Sequence, residues 1–367
     1  MLAKKCRLCG FPYAISRMMK WNDNGTITLW LRRNFRAVLI EADFLSELFE
    51  QIERDMGISI RHIVFAAQRN AATEVAHANI RGPFTVARLG PFKQISVRLL
   101  CRVAIFTGQS YARVLTYRGG RYGEALVRNP FDRDLMAAVI VGIFDGLERK
   151  PFGHTWKETD KGDVIVIQPE PSRPELVERM SFATLPPKKG ERSFQRCPQC
   201  GVPSQLEDLE WNFDEGKVID RRLQERMVLL DCYPPSVVIR ELASELGDAI
   251  YPLVVEAQRS FSLRRIRQQF LAGRDPVLFR NQQYLYERVL ETIALRGLGN
   301  PATYLHAGER LSVTIENPYN VHLLAGHLAA MYELGEKKPA CVEWDYLDEN
   351  TIRFNMGPRR EAASLAV

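Results

Sequence analysis

Long apolar runs are missing from these 367 residues: the longest, Leu135–Phe144, spans ten, where a membrane-crossing helix needs roughly 20. That run reads as a buried helix, and no membrane span is expected. The opening residues Met1 to Cys6 lack an apolar core followed by a small-residue cleavage site. No secretory signal is visible, and a cytoplasmic location is expected. Histidine is scarce, with six in all, and there is no His-Glu-x-x-His helix, Gly-rich phosphate loop or Gly-x-Ser-x-Gly elbow. The chain therefore leans towards a non-catalytic protein. Charge of one sign is not in excess either, the net being +6. The basic doublets Arg32-Arg33, Arg264-Arg265 and Arg359-Arg360 read as solvated faces, and a nucleic-acid partner is not expected. Cysteine is sparse and odd in number, seven, yet four of the seven fall in two C-x-x-C pairs. Without an export signal that spacing points to metal or redox chemistry over structural disulfides.

What is present is one pattern written twice. Cys6-Arg7-Leu8-Cys9-Gly10-Phe11-Pro12 returns 191 positions later as Cys197-Pro198-Gln199-Cys200-Gly201-Val202-Pro203. Trp21-Asn22, Arg36-Ala37-Val38-Leu39-Ile40-Glu41, Gly57 and Ala67-Gln68-Arg69 return 190 positions later at Trp211-Asn212, Arg226 to Asp231, Gly247 and Ala257-Gln258-Arg259. Asn129-Pro130-Phe131, Lys150-Pro151 and Trp156 return 188 positions later at Asn317-Pro318-Tyr319, Lys338-Pro339 and Trp344. Self-similarity at a fixed period decides architecture before any local motif does. It divides the chain into copy one, residues 1–170, a proline-rich charged linker at 171–192, copy two at 193–358, and a tail at 359–367.

Within each copy the knuckle is followed by two short strands, Gly25–Trp30 and Ala37–Ile40 in the first. An amphipathic helix from about Asp43 to Met56 stops at Gly57, and its partner begins after Pro234-Pro235 and stops at Gly247. A second helix covers Ile60–Val75 and Ile250–Phe261. A later one follows Asn129-Pro130 and Asn317-Pro318, where Asn and Pro suit a cap and first turn. Two closing strands complete each copy. The expected class is α+β: an antiparallel sheet packed on helices, twice over, the copies forming an intramolecular pseudo-dimer.

A C-x-x-C turn followed by glycine brings two thiolates to one ion, which is half of a tetrahedral site. The simplest completion places Cys6, Cys9, Cys197 and Cys200 around a single ion near an axis relating the copies. Private sites would need different ligands in each, because Cys101, Cys232 and Cys341 face Leu290, Ala42 and Gly153, and no histidine is repeated in the other copy. Zn2+ suits four thiolates in a closed structural site, and Fe is the alternative, since Cys197-Pro198-Gln199-Cys200-Gly201 also looks like half of a rubredoxin. A redox dithiol is the functional rival, although thioredoxin-like turns open a helix after a strand and these knuckles begin each copy. The polar pairs Gln68-Arg69 and Gln258-Arg259 follow apolar helical stretches and are candidate ligand-binding residues; a helix end whose Arg meets a carboxylate is the plain reading. His327 reads as a satisfied core histidine.

The order of knuckle, Gly-x-Ile/Val hairpin (Gly25-Thr26-Ile27, Gly216-Lys217-Val218), Arg-x-Val-Leu-x-Glu/Asp strand, helix ending in glycine, Ala-x-Arg helix and late Asn-Pro helix resembles the 4-vinyl reductase domain family. The resemblance covers residues 20–168 and 210–356. It implies an apolar pocket in each copy for a small aromatic or lipid-like molecule, or a scaffold that has lost its pocket and binds a protein partner. In sensory members of that family the metal-binding cysteines lie late in the domain, and here only Cys341 with Glu343 falls in such a region, without a match in copy one.

Overall fold

The structure is a computed structural model and describes residues 4–29, 32–79, 90–172, 185–272 and 281–359. In the first half, α1 (Tyr13–Met18) leads into β1 (Met19–Trp21), β2 (Ile27–Leu29) and β3 (Arg32–Glu41). Helices α2 (Phe44–Met56), α3 (Arg61–Asn79) and α4 (Gly90–Phe106) follow, then β4 (Tyr111–Arg118), β5 (Tyr122–Arg128), α5 (Arg133–Glu148), β6 (Phe152–Lys157) and β7 (Asp163–Pro169). In the second half a 3-10 turn (Ser204–Leu206) stands where α1 stood. The rest runs β8 (Leu209–Asn212), β9 (Lys217–Asp220), β10 (Glu225–Asp231), α6 (Pro234–Leu246), α7 (Ile250–Ala272), α8 (Gln282–Leu295), β11 (Asn300–Ala307), β12 (Arg310–Glu316), α9 (Val321–Glu336), β13 (Ala340–Asp348) and β14 (Thr351–Pro358). The class is mixed, with antiparallel sheets packed on helices. Among the described residues no helix is long and apolar enough to cross a membrane.

Three sheets organise these elements. Two are four-stranded and have the same order, β4-β5-β7-β6 and β11-β12-β14-β13; the third is six-stranded and runs β1-β2-β3-β10-β9-β8 across both halves. At its centre β3 and β10 run antiparallel with Leu39 opposite Leu229. Period-two alternation decides what each face buries. Val38, Ile40, Val228 and Leu230 join the large helical core, whereas Leu39, Met227 and Leu229 join a smaller core with Phe11, Trp21 and Trp211.

Contacts between the halves come in matched pairs. Trp21 Nε1 donates to Leu295 O at 3.1 Å and Trp211 Nε1 to Phe106 O at 2.9 Å. Arg36 Nη2 donates to Asn317 O at 2.6 Å and Arg226 Nη2 to Asn129 O at 2.6 Å. Helix α2 packs on α7, and α6 on α3. The hairpin that begins each half thus sits against the later elements of the other, and the two cannot separate without breaking a shared sheet. Gly25 and Gly216, both at positive φ, lie so close to backbone of the opposite half (Gly299 and Tyr111) that a Cβ would approach within 2.3 Å and 2.0 Å respectively.

Several elements differ from the pattern read in the sequence. Helices α3 and α7 extend to Asn79 and Ala272, beyond the expected Val75 and Phe261. Between α3 and α5, where the hydrophobic pattern assigned nothing, lie α4 and the β4-β5 hairpin. The reason is visible in α4: Phe92, Ile95 and Leu99 are exposed while Val97 and Ala104 are buried, so apolar residues surround the helix and no single stripe stands out. Asn129 and Asn317 do not cap their helices. They adopt left-handed φ of 49° and 51°, which Asn tolerates, and the caps come three residues on. There Asp132 accepts from Leu135 N at 2.8 Å and Asn320 from Leu323 N at 2.9 Å.

Residues 173–184 of the expected linker lie outside the described residues. Residues 185–192 have no regular structure but are tied to both halves: Lys188 N donates to Asn317 Oδ1 at 2.7 Å, and Arg192 N to Asp23 O at 2.8 Å. Of the expected tail, Arg359 N donates to Pro339 O at 2.8 Å, and residues 360–367 lie outside the described residues.

Candidate functional site

Each knuckle is a short loop closed by its own backbone. Cys6 N donates to Phe11 O at 2.8 Å and Cys197 N to Val202 O at 2.9 Å, while Gly10 and Gly201, both at φ 73°, turn the chain back. Phe11 and Val202 then anchor the loops in the small core, Phe11 packing edge-on against Trp211 at 4.7 Å between centroids. The two loops face each other. Cys6 Sγ lies 3.7 Å from Cys197 Sγ, and Cys9 Sγ 3.5 Å from Cys200 Sγ; all four sulfurs fall within 4.8 Å of one another. These are approaches between free thiols, since a disulfide would hold two sulfurs at about 2.05 Å. Sulfurs at the corners of a tetrahedron with metal–sulfur bonds of about 2.3 Å stand about 3.8 Å apart. The four cysteines therefore lie close enough to bind one metal ion.

Electrostatics favour that use. Burial disfavours the Cys6 thiolate, but backbone N–H groups of Cys9 and Leu8 point at the sulfur and bring the thiol down to about 6. Backbone N–H groups of Cys200 and Gln199 lower Cys197 in the same way. Burial pushes Cys9 and Cys200 up, a cost that a bound divalent cation would offset. Four protein ligands close a tetrahedral site and leave no open position for a substrate on the ion.

Away from the cysteines, a cavity of about 510 Å³ lies mainly within the first half. Its walls are the inner faces of α3 (Gln68, Ala71, Ala72, Ala76), α4 (Val97, Leu100, Cys101, Val103, Ala104) and α5 (Met136, Ile140, Ile143, Phe144, Leu147). The floor is β4 and β5, with Ala112, Val114, Gly123 and Ala125, and the far end is closed by Leu229, Leu230, Asp231 and Pro234 of the second half. The wall reaches the surface at Arg17 and Leu99, both exposed. Small side chains explain the space. At the matching positions around the second half's core stand larger ones: Phe261 where α3 has Ala71, Ile266 for Ala76, Tyr286 for Val97, Ile293 for Ala104, Leu311 for Gly123 and, from the first half, Phe44 for Pro234. Tyr286, Ile293 and Leu311 are fully buried, and Phe44 and Phe261 pack edge-on at 5.0 Å between centroids. The second half is filled where the first is hollow.

The polar groups at the two places differ as well. On the filled side Glu41 accepts from Arg296 Nη1 at 2.7 Å in a buried ion pair, which holds its carboxyl below the usual range against burial. On the hollow side Asp231 and Thr107 take the places of Glu41 and Arg296. The local backbone is the same, with Leu39 N donating to Arg296 O at 2.9 Å and Leu229 N to Thr107 O at 2.8 Å. Asp231 Oδ1 accepts from Tyr233 N at 3.1 Å, and Oδ2 has no hydrogen-bond partner. Burial raises the Asp231 carboxyl to about 7, against the backbone N–H groups of Tyr233 and Cys232 and the charge of Arg36.

Of the four polar candidates from the sequence, Gln68 lies on the cavity wall. Arg69 turns the other way: Nε donates to Asp145 Oδ2 at 2.8 Å and Nη2 to Phe152 O at 2.9 Å, both buried. Arg259 makes the matching bridge, donating from Nη1 to Glu333 Oε2 at 2.6 Å and pairing with Glu256. Gln258 Nε2 donates to Ser262 Oγ at 2.8 Å, and Ser262 Oγ lies 2.8 Å from His327 Nδ1, so His327 is a satisfied core residue. The cavity and Asp231 were not singled out in the sequence. The available signal was the size difference between matched positions, Ala71 with Phe261 and Pro234 with Phe44, and the loss of an arginine at Thr107. No protein-family model matches this chain, and no curated protein matches it in sequence.

Proposed function

We propose that this protein is a duplicated, zinc-stapled small-molecule-binding protein. Two α+β units are fused into an intramolecular pseudo-dimer, one structural Zn2+ sits at their axis, and the first unit holds an apolar or aromatic ligand without transforming it. The observation that carries the reading is the contrast between the two units: the same chain path encloses an apolar cavity of about 510 Å³ in one and a packed core in the other. Cavities of roughly 300–1,000 Å³ with apolar walls and a few polar groups are the usual form of small-molecule sites. A protein gains nothing in stability from such a void, since large empty volume costs packing energy. The reading agrees with the resemblance to the 4-vinyl reductase domain family, with binding confined to the first unit.

Two measurements test it. Solvent extraction of purified protein followed by mass spectrometry should release an apolar molecule near one per chain. The double substitution Ala71→Phe with Ala104→Ile, which installs the residues of the filled unit, should abolish its retention and leave the thermal midpoint unchanged or higher. A filled variant that still carries the molecule would refute the site. For the metal, one zinc per chain and no visible absorbance are expected; a coloured protein with one iron would identify the ion as a rubredoxin-type centre instead.

A further inference from the structure

The filled unit is a template for what the hollow one lacks. There the space is occupied by an apolar body, the Phe44 and Phe261 rings, and by a cation, the Arg296 guanidinium on the Glu41 carboxylate. In the hollow unit the rings are replaced by Pro234 and Ala71, the cation by Thr107, and only the acid remains, as Asp231. From this juxtaposition, and resting on the proposal that the cavity is a binding site, we infer that its ligand is a hydrophobic cation. Its apolar or aromatic body lies between α3, α4 and α5, and an amine or amidine head is held on the Asp231 carboxylate.

Other charged groups on the wall do not compete for this role. Glu124 accepts from the Tyr122 hydroxyl and lies 3.8 Å from Lys157 Nζ. Arg17 is exposed and lies 6.0 Å from the Tyr13 ring centroid. Arg36, next to Ala37, the β3 residue opposite Asp231, donates Nη2 to Asn317 O at 2.6 Å and leaves Nε unpartnered; its charge acts on Asp231, but among the described residues no cation forms an ion pair with that carboxyl. A carboxylate at an apolar site with one oxygen unpartnered is costly to ionise, and a charge-assisted hydrogen bond from a bound cation removes that cost. An anionic ligand would meet the opposite effect, a second negative charge in the same enclosed space.

The test uses three probes sharing one apolar body: 1-naphthylmethylamine, 1-naphthylmethanol and 1-naphthoate, titrated calorimetrically into the full chain. For the natural sequence the amine should bind at least about tenfold more tightly than the alcohol, a difference of about 1.4 kcal/mol, with the carboxylate weakest. Asp231→Asn should erase the preference for amine over alcohol while alcohol binding persists, showing that the cavity is intact. Thr107→Arg, which restores the internal cation of the filled unit, should weaken the amine selectively in the same way. Equal binding of amine and carboxylate, or an amine preference that survives Asp231→Asn, overturns the inference while leaving the cavity a binding site. Binding of none of the three, or binding unaffected by Ala71→Phe with Ala104→Ile, overturns the cavity reading and this one with it.

Discussion

Cys6→Ser should lower the thermal midpoint steeply, and the variant should no longer respond to chelators. Cys6 and Cys197 are buried, come from loops 191 positions apart, and meet where the small core ends. That core is the smaller of the two built around the shared sheet, and the free energy a structural zinc would add, on the order of 10 kcal/mol, exceeds what burial of any one of its side chains supplies. A shared ion makes a further, sharper demand. Cys197→Ser should cost as much as Cys6→Ser, and the double variant should cost little more than either alone, because one lost ligand already opens the site. Private ions in each knuckle would instead give additive losses. Differential scanning fluorimetry with metal analysis checks both points. A Cys6→Ser midpoint within a degree of the parent's, or clean additivity in the double variant, would falsify the shared staple.

Much of this arrangement was legible because the repeat is a long-range constraint that local pattern reading lacks. Two C-x-x-C-G loops with no repeated third or fourth ligand left a joint site as the economical solution, and the four sulfurs converge. The β3 and β10 strands were readable from Arg36 to Glu41 and from Arg226 to Asp231. Their pairing was not, since nothing local tells a strand that its partner lies 190 positions away. Helix α4 escaped notice because it is apolar on the side facing the cavity and on the side facing solvent, so the periodicity that marks an amphipathic helix is blurred. Its counterpart α8 buries Leu285, Tyr286, Val289, Leu290 and Ile293 in the main core. The same stretch of chain therefore serves as a core helix in one half and a cavity wall in the other. Matching residue types was enough to find the repeat; finding the cavity required matching residue volumes, because a void is encoded by the side chains that are smaller than their counterparts.

Arg69→Ala should cost about 3–5 kcal/mol, the usual penalty for stranding a buried charge by removing its partner. Asp145 is fully buried, and its two oxygens take Arg69 Nε at 2.8 Å and Phe152 N at 2.9 Å. Arg69 Nη2 in turn holds Phe152 O, so the guanidinium joins α3, α5 and the first residue of β6. Arg69→Lys should recover only part of the loss, because an ammonium cannot reach the carboxylate and the carbonyl with a planar fork. The matching Arg259→Ala should cost less than half as much. Glu333 is 13% exposed and Glu256 43%, so water can take over the solvation that the arginine gave up. Urea denaturation gives both values. The neighbouring position separates stability from recognition: Gln68 lies on the cavity wall, so Gln68→Ala should leave the urea midpoint nearly unchanged and alter ligand retention instead. If Arg69→Ala proved nearly neutral in urea yet abolished ligand retention, the guanidinium would be serving the cavity and not the joint between helices. The reading of Arg69 as the counterpart of Arg259 would then fail.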